Sequence, residues 1–187
     1  MSLGIVVDGD AEAIALGEIT SRLQGCPRQV LRPIYASLQP KASPAQIAKA
    51  ASPRIELLQA RGATRLVVLI DREDRTDSPS AWASAIQIAF GGIGIPGVAV
   101  VVKNRKFENW LASHPNALRS MPKRWRVTNG FENAVSPNRA DSVVDAEMLL
   151  NTIVQGKSRY HKRHDAIRIA QRIGVLDAAA NSRAFRS

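Results

Sequence analysis

Three stretches of this chain are apolar without a break: LGIVV at 3–7, LVVLI at 66–70 and VAVVV at 98–102. A strand with one wet face alternates apolar and polar residues. A continuous apolar run of strand length is instead buried on both faces, which is the habit of parallel sheets covered by helices. Helix signals fill the intervals. Residues 11–24 are predicted as a helix, with Leu16, Ile19 and Leu23 at i, i+3 and i+7 and Gly25 as its stop. Gln29–Ala36 reads as a strand whose Pro33 lacks an N–H and belongs on an edge. Ser43-Pro44 and Ser52-Pro53 each pair an N-cap with Pro at the first helical position, so 44–61 holds one kinked helix or two short ones. Asp77-Ser78-Pro79 opens a helix carrying Trp82, Ile86 and Phe90 on one face, ended by Gly91-Gly92. A short helix is expected at Phe107–Ser113. The order β-α-β-α-β-α-β-α predicts an α/β fold with a mostly parallel sheet and helices on both faces.

The strand signal stops near residue 114. Pro115, Pro122, Gly130 and Pro137 make 114–140 read as irregular, and 142–155 and 161–180 read as helices. The expected organisation is an α/β core over 1–113 and a helical extension over 114–187 packed on the same domain. A length of 187 residues suits one domain, and 45% hydrophobic residues suffice for a core. The apolar runs are too short to cross a membrane, and Asp8 and Asp10 interrupt any secretory h-region. The single cysteine, Cys26, forms no internal disulfide, which suits a cytoplasmic protein.

Charge is distributed unevenly. Lys and Arg number 26 against 16 Asp and Glu, a formal net charge of +10. Lys103, Arg105, Lys106, Arg119, Lys123, Arg124 and Arg126 lie in one stretch with Glu108 as the one carboxylate, and Lys157–Arg172 is a second basic group. Such surfaces attract nucleic acid through its phosphates; the alternative is two solvated faces. The carboxylates gather elsewhere. Asp8, Asp10 and Glu12 follow the first strand, and Asp71, Glu73, Asp74 and Asp77 follow the third. In a parallel sheet, ligands bind beyond the carboxyl ends of the strands, so Asp8 and Asp71 are expected at one sheet edge. Hard oxygen donors in that setting suit Mg²⁺ or Mn²⁺, whose charge would offset the repulsion between carboxylates. Asp10 and Glu12, taken singly, read first as acids that complement a helix N-terminus.

The pattern of strand, acid and acid-rich helix start, VVDGDAEA at 6–13, followed later by LIDRED at 69–74, resembles the Toprim domain of primases, topoisomerases and OLD-family nucleases. KNRKFENWLASHP at 103–115 and SRYHKRHDAIRIAQRIGVLDAAANSRAF at 158–185 resemble a Toprim-like domain-of-unknown-function family of small bacterial proteins, often encoded near OLD-type ATPases, with F-E-x-W-L, Y-x-K and S-x-x-F motifs. Asp8 stands where the Toprim pattern has Glu, and Asp71-Arg72-Glu73 where it has D-x-D. Each swap keeps the carboxylate and moves it by one methylene. The resemblance implies a Toprim-like fold, Mg²⁺ or Mn²⁺ held by Asp8, Glu12, Asp71 and Glu73, and catalytic roles for Asp8 and Lys162. Asp10, Asp74, Glu108 and Tyr160 stand behind these, each with an ordinary structural reading beside it.

Two functions follow. One is a metal-dependent nuclease in which Lys103, Arg105, Arg119, Lys123, Arg124 and Arg126 hold the phosphate backbone, alone or with an ATPase partner. The other is a non-catalytic module of the same fold that binds nucleic acid or a protein. A PIN-like nuclease, which also ends its first strand in Asp, ranks lower because FENW and Y-x-K have no place in it. Neither His161 nor His164 has the further ligands a zinc site needs, and no nucleophile elbow or phosphate-binding glycine loop occurs.

Overall fold

Helix caps and apolar runs translate into a regular order of elements in the computed structural model, which describes residues 2–22 and 29–186. Two units make up the chain, Met1–Asn104 and Arg105–Ser187. The first runs β1 (Ser2–Val7), α1 (Asp10–Thr20), β2 (Gln29–Val30), β3 (Ile34–Tyr35), α2 (Pro44–Ala60), β4 (Arg65–Asp71), α3 (Pro79–Gly92) and β5 (Val98–Lys103). Leu23, Gly25 and Cys26 lie outside the described residues.

Every strand pairing is parallel. β1 and β4 are central, β5 forms one edge, and β2 and β3 share the other. The expected edge strand at Gln29–Ala36 is split. β2 pairs with Ser2 and Leu3, and β3 pairs with Val6 and Val7. Leu31 N–H donates to Leu3 O and Ala36 N–H to Val7 O, while Pro33 between them has no N–H to give.

α1 carries the chain from β1 toward the β2/β3 edge, whereas α2 and α3 carry it the opposite way. Right-handed crossovers in opposite directions put helices on opposite faces. The α/β arrangement with helices on both faces is therefore the one the apolar runs predict, and is consistent with a Toprim-like fold. One face buries Val6, Val68, Val100 and Val102 against Ile47, Ala51, Ile55 and Leu58 of α2 and Trp82, Ile86 and Phe90 of α3. Truncating one of these, Ile55→Ala for example, costs about 2–5 kcal/mol.

α2 is one unbroken helix. Ser43 Oγ accepts the Gln46 N–H while Gln46 Oε1 accepts the Ser43 N–H, a capping box with Pro44 at the first position. The second cap signal, Ser52-Pro53, lies inside the helix. Pro53 cannot donate to the carbonyl of Lys49, and the Ser52 hydroxyl donates to that oxygen instead at 3.0 Å. Gly62, at φ +89°, then ends the helix, and Gly4 of β1 passes so close beneath it that a Cβ there would lie 2.9 Å from Ala63 Cβ.

The second unit is helical. It contains α4 (Phe107–Ala112), α5 (Pro115–Arg119), α6 (Asn129–Val135), a 3₁₀ turn at Ala140–Ser142, α7 (Ala146–Asn151), α8 (Lys162–Ala170), α9 (Val175–Asn181) and α10 (Arg183–Arg186). The segment 114–140, expected to be irregular, holds two helices. Pro115 starts α5 at its first position, where a missing N–H costs nothing, and Thr128 caps α6. The long helices expected at 142–155 and 161–180 are shorter: α7 is capped by Asp145, and Gly174 separates α8 from α9. α4 packs against α7 and α8, so FENW belongs to this unit rather than to the α/β core. Leu111, Leu118, Trp125, Phe131 and Ile169 are buried. Among the described residues no helix is long and apolar enough to cross a membrane.

Candidate functional site

Three strand ends meet at the carboxyl edge of the sheet. Asp8 directly follows β1, Asp71 is the last residue of β4, and Lys103 is the last of β5. The ladders set their levels: Val7 is opposite Leu69, and Asp71 is opposite Lys103. Glu12 joins from the first turn of α1, turned inward and 2% exposed. Lys103 Nζ lies 2.8 Å from Asp8 Oδ1, 2.5 Å from Glu12 Oε2 and 3.0 Å from Asp71 Oδ1. The second oxygen of Asp8 accepts the Asp71 N–H at 2.7 Å. Lys103 is fully buried, and of the three carboxylates Asp71 is the most open, its side chain 19% exposed against 5% and 2% for Asp8 and Glu12.

Burying such a group is costly unless opposite charges are close and well placed. Burial pushes the Glu12 carboxyl well above the usual range; Lys103 pulls it part of the way back, and Asp8 and Asp71 add to the rise. Burial acts on Lys103 in the opposite sense, but Glu12, Asp71 and Asp8 together outweigh it and hold the ammonium charged beyond the ordinary lysine range. One oxygen stands out: Glu12 Oε1 is buried and has no hydrogen-bond partner. Buried carboxylate oxygens ordinarily have a donor or a cation beside them.

The donor chemistry fits a hard divalent cation, and the orphaned Glu12 Oε1 is where such an ion would find an unused ligand. Among the described residues no group of carboxylates is gathered about a point ready to hold a metal by itself. The point that Asp8, Glu12 and Asp71 share is the Lys103 ammonium.

The sequence placed Asp8, Glu12 and Asp71 here, and the structure brings all three together. It did not place Lys103 here. Expected among the surface cations that grip phosphate, Lys103 is fully buried and central. The signal was present: a lysine closes an apolar parallel strand at the level where the neighbouring strand ends in Asp71. Glu73 departs from expectation too. A D-x-E pair shares one side only while the chain stays extended, but β4 stops at Asp71 and Glu73 turns into the left-handed region at φ 53°. Glu73 makes no ion pair to Lys103; Glu12 supplies the third carboxylate. Asp10 and Asp74 are exposed. Asp77 pairs with Arg75 at 2.6 Å, and the Arg72 guanidinium donates to Asp77 O and Asn104 Oδ1, which ties down the loop after β4.

The remaining candidates lie in the second unit. Glu108 is 9% exposed; Lys162 Nζ stands 3.9 Å from its Oε1 and 3.0 Å from Glu147 Oε2. Tyr160 is buried, its hydroxyl has no hydrogen-bond partner, and burial followed by Glu108, Asp165 and Glu147 pushes its phenol up. His161 is the N-cap of α8, accepting the His164 N–H. Arg124, expected on the nucleic-acid face, is spent internally: its guanidinium forks onto Asp165 at 3.1 and 2.6 Å and donates to Arg159 O and Ser158 Oγ. Arg119 pairs with Glu132. Lys123 and Arg126 are exposed, and Arg105 is half-buried. The S-x-x-F segment is structural. Asp141 accepts the Ser182 hydroxyl and the Arg183 and Ala184 N–H groups, and Phe185 packs edge-on against Trp110 at 5.3 Å.

A family model described as "Domain of unknown function (DUF4276)" matches residues 24–187. Asp71, Lys103 and the whole second unit fall within that span, while Asp8 and Glu12 precede it. No curated protein and no solved structure matches the chain.

Proposed function

The chain belongs to the DUF4276 family of domains of unknown function, and from that premise we propose that it is a metal-dependent phosphodiester hydrolase acting on nucleic acid. One observation carries the reading: Asp8, Glu12 and Asp71 converge where a parallel sheet binds ligands, with Glu12 Oε1 buried and without a partner. Glu12 and Asp71 would hold Mg²⁺ or Mn²⁺, which when bound supplies Lewis-acid polarisation of a phosphate and a more acidic water. Asp8 has both oxygens fixed, one by Lys103 and one by the Asp71 N–H. It is thereby oriented to position that water and take its proton. Lys103 keeps the three carboxylates together at bearable cost. Lys123 and Arg126 supply backbone contacts that read no sequence, and a partner ATPase of the kind encoded beside the resembled family would act with the chain.

A second reading has its own observation. Lys103 Nζ lies within 3.0 Å of an oxygen of each of the three carboxylates, so in this reading the ammonium alone is the counter-ion of a non-catalytic binding module. Thermal unfolding with and without Mn²⁺, alongside cleavage of labelled DNA and RNA, separates the two. The hydrolase gains stability with Mn²⁺ because the ion binds the native state only, and Asp71→Asn abolishes that gain and the cleavage while nucleic acid still binds. An unchanged melting curve and intact substrates in the wild type would support the module.

A further inference from the structure

Hydrolytic sites built on carboxylates divide by cation count. Two ions about 3.5–4 Å apart are well served by a carboxylate that gives one oxygen to each. In this site that arrangement is already taken up by the protein. Asp8, the carboxylate between β1 and α1, gives Oδ1 to Lys103 Nζ and Oδ2 to the Asp71 N–H. Glu12 gives Oε2 to the same Nζ at 2.5 Å and keeps Oε1 buried without a partner. Lys103 is fully buried at the end of β5, so its ammonium is part of the architecture rather than a surface cation that happens to reach in.

We infer that Lys103 occupies the place of one of two cations, and that the site takes a single divalent ion, with Glu12 bridging the Lys103 ammonium and that ion. The inference rests on the metal-dependent reading above and deepens it. Glu12 Oε1 is the ligand atom, and Asp71, the most open of the three carboxylates, is the side from which the ion arrives. Glu12 is the residue that makes the two positions interdependent: its two oxygens face two cations, one covalently built in and one exchangeable. Removing the ammonium while keeping the volume of the side chain vacates a cation position lined by Asp8, Glu12 and Asp71.

The experiment is a calorimetric titration of the full chain with Mn²⁺, with electron paramagnetic resonance on the loaded wild type. The expected stoichiometry is one ion, with the spectrum of an isolated Mn²⁺. Lys103→Met is expected to raise the stoichiometry to two, with an exchange-coupled spectrum, and Glu12→Gln to abolish binding. A wild type that binds two ions, or shows a coupled pair, overturns the inference and leaves the metal reading standing. So does a folded Lys103→Met that still takes one ion. If neither the wild type nor Lys103→Met binds Mn²⁺, the metal reading itself falls, and this inference with it. Should Lys103→Met fail to fold, the wild-type stoichiometry and spectrum decide the count, and the Glu12→Gln titration decides the ligand.

Discussion

Asp71 and Lys103 face each other on the last rung of the β4–β5 ladder, and the Lys103 ammonium lies 3.0 Å from Asp71 Oδ1. Their backbone level comes from parallel register. Their opposite charge turns that level into an anchoring point, on which Asp8 and Glu12 then converge.

Removing the ammonium should be costly. Lys103→Met is expected to lower the unfolding free energy by about 3–5 kcal/mol, because it strands buried carboxylates without their cation. Glu12→Gln in the same chain neutralises one of those carboxylates, so the double variant should recover part of the loss. Urea denaturation of the wild type, both single variants and the double variant should give a coupling energy of about 0.5–3 kcal/mol. Additive losses would mean that Nζ and Glu12 do not interact.

Glu12 also sets a pH dependence. Its carboxyl is held above the ordinary range in the folded chain, mainly by burial. As pH rises past that ordinary range, the unfolded chain releases the proton first, so stability falls until the folded carboxyl ionises as well. The slope in that window is at most about 1.4 kcal/mol per pH unit. Gln mimics the protonated acid, so Glu12→Gln should flatten this fall and be relatively more stable at the high-pH end. Chemical denaturation across a pH series, without divalent ions, measures it.

Tyr160 makes a separate test in the second unit. Its hydroxyl is buried and has no hydrogen-bond partner, so Tyr160→Phe should leave neutral-pH stability unchanged or raise it by about 1 kcal/mol. The folded phenol is held above the ordinary range, first by burial. The unfolded phenol ionises near pH 10, so stability should decline above that pH in the wild type and less in Tyr160→Phe. The phenolate absorbance of Tyr160 should appear only together with unfolding. A large loss of stability in Tyr160→Phe at neutral pH would show that the hydroxyl has a partner.

The cations of the 119–126 stretch should separate into two kinds. Replacing Lys123 and Arg126, both exposed, by Ser should weaken DNA or RNA binding and reduce the log–log salt slope by about 2, at roughly 0.9 per phosphate contact. Arg124→Ala should act on stability instead, costing about 2–3 kcal/mol through its lost bonds to Asp165 and Arg159. Filter binding over a salt series and urea denaturation distinguish the two. An unaltered salt slope in the Lys123/Arg126 variant would remove those residues from the interface.

Much of the fold is local information. Continuous apolar runs mark β1, β4 and β5 because a strand buried on both faces has no polar positions to alternate. Ser43-Pro44 and Ser78-Pro79 start α2 and α3 because the cap hydroxyl and the fixed proline φ act within one turn. The same local logic misled where a signal had two outcomes. Ser52-Pro53 reads as a helix start, yet the buried face of α2 runs through it and the Ser52 hydroxyl mends the gap. Pro115 reads as a breaker, yet it begins a helix.

By itself, the sequence determined that Asp8 and Asp71 would end parallel strands at one sheet edge, because strand ends follow from apolar run length and parallel strands share a carboxyl edge. Only the tertiary structure decided what holds the carboxylates together. Lys103 is 95 residues from Asp8 and 91 from Glu12 along the chain, and the one local feature that sets it apart from the other cations of KNRK is its place at the end of an apolar strand. Burial makes the difference. Once β5 carries the lysine into the same dry edge as three acids, the ammonium has no water to turn to, and its charge is spent on them.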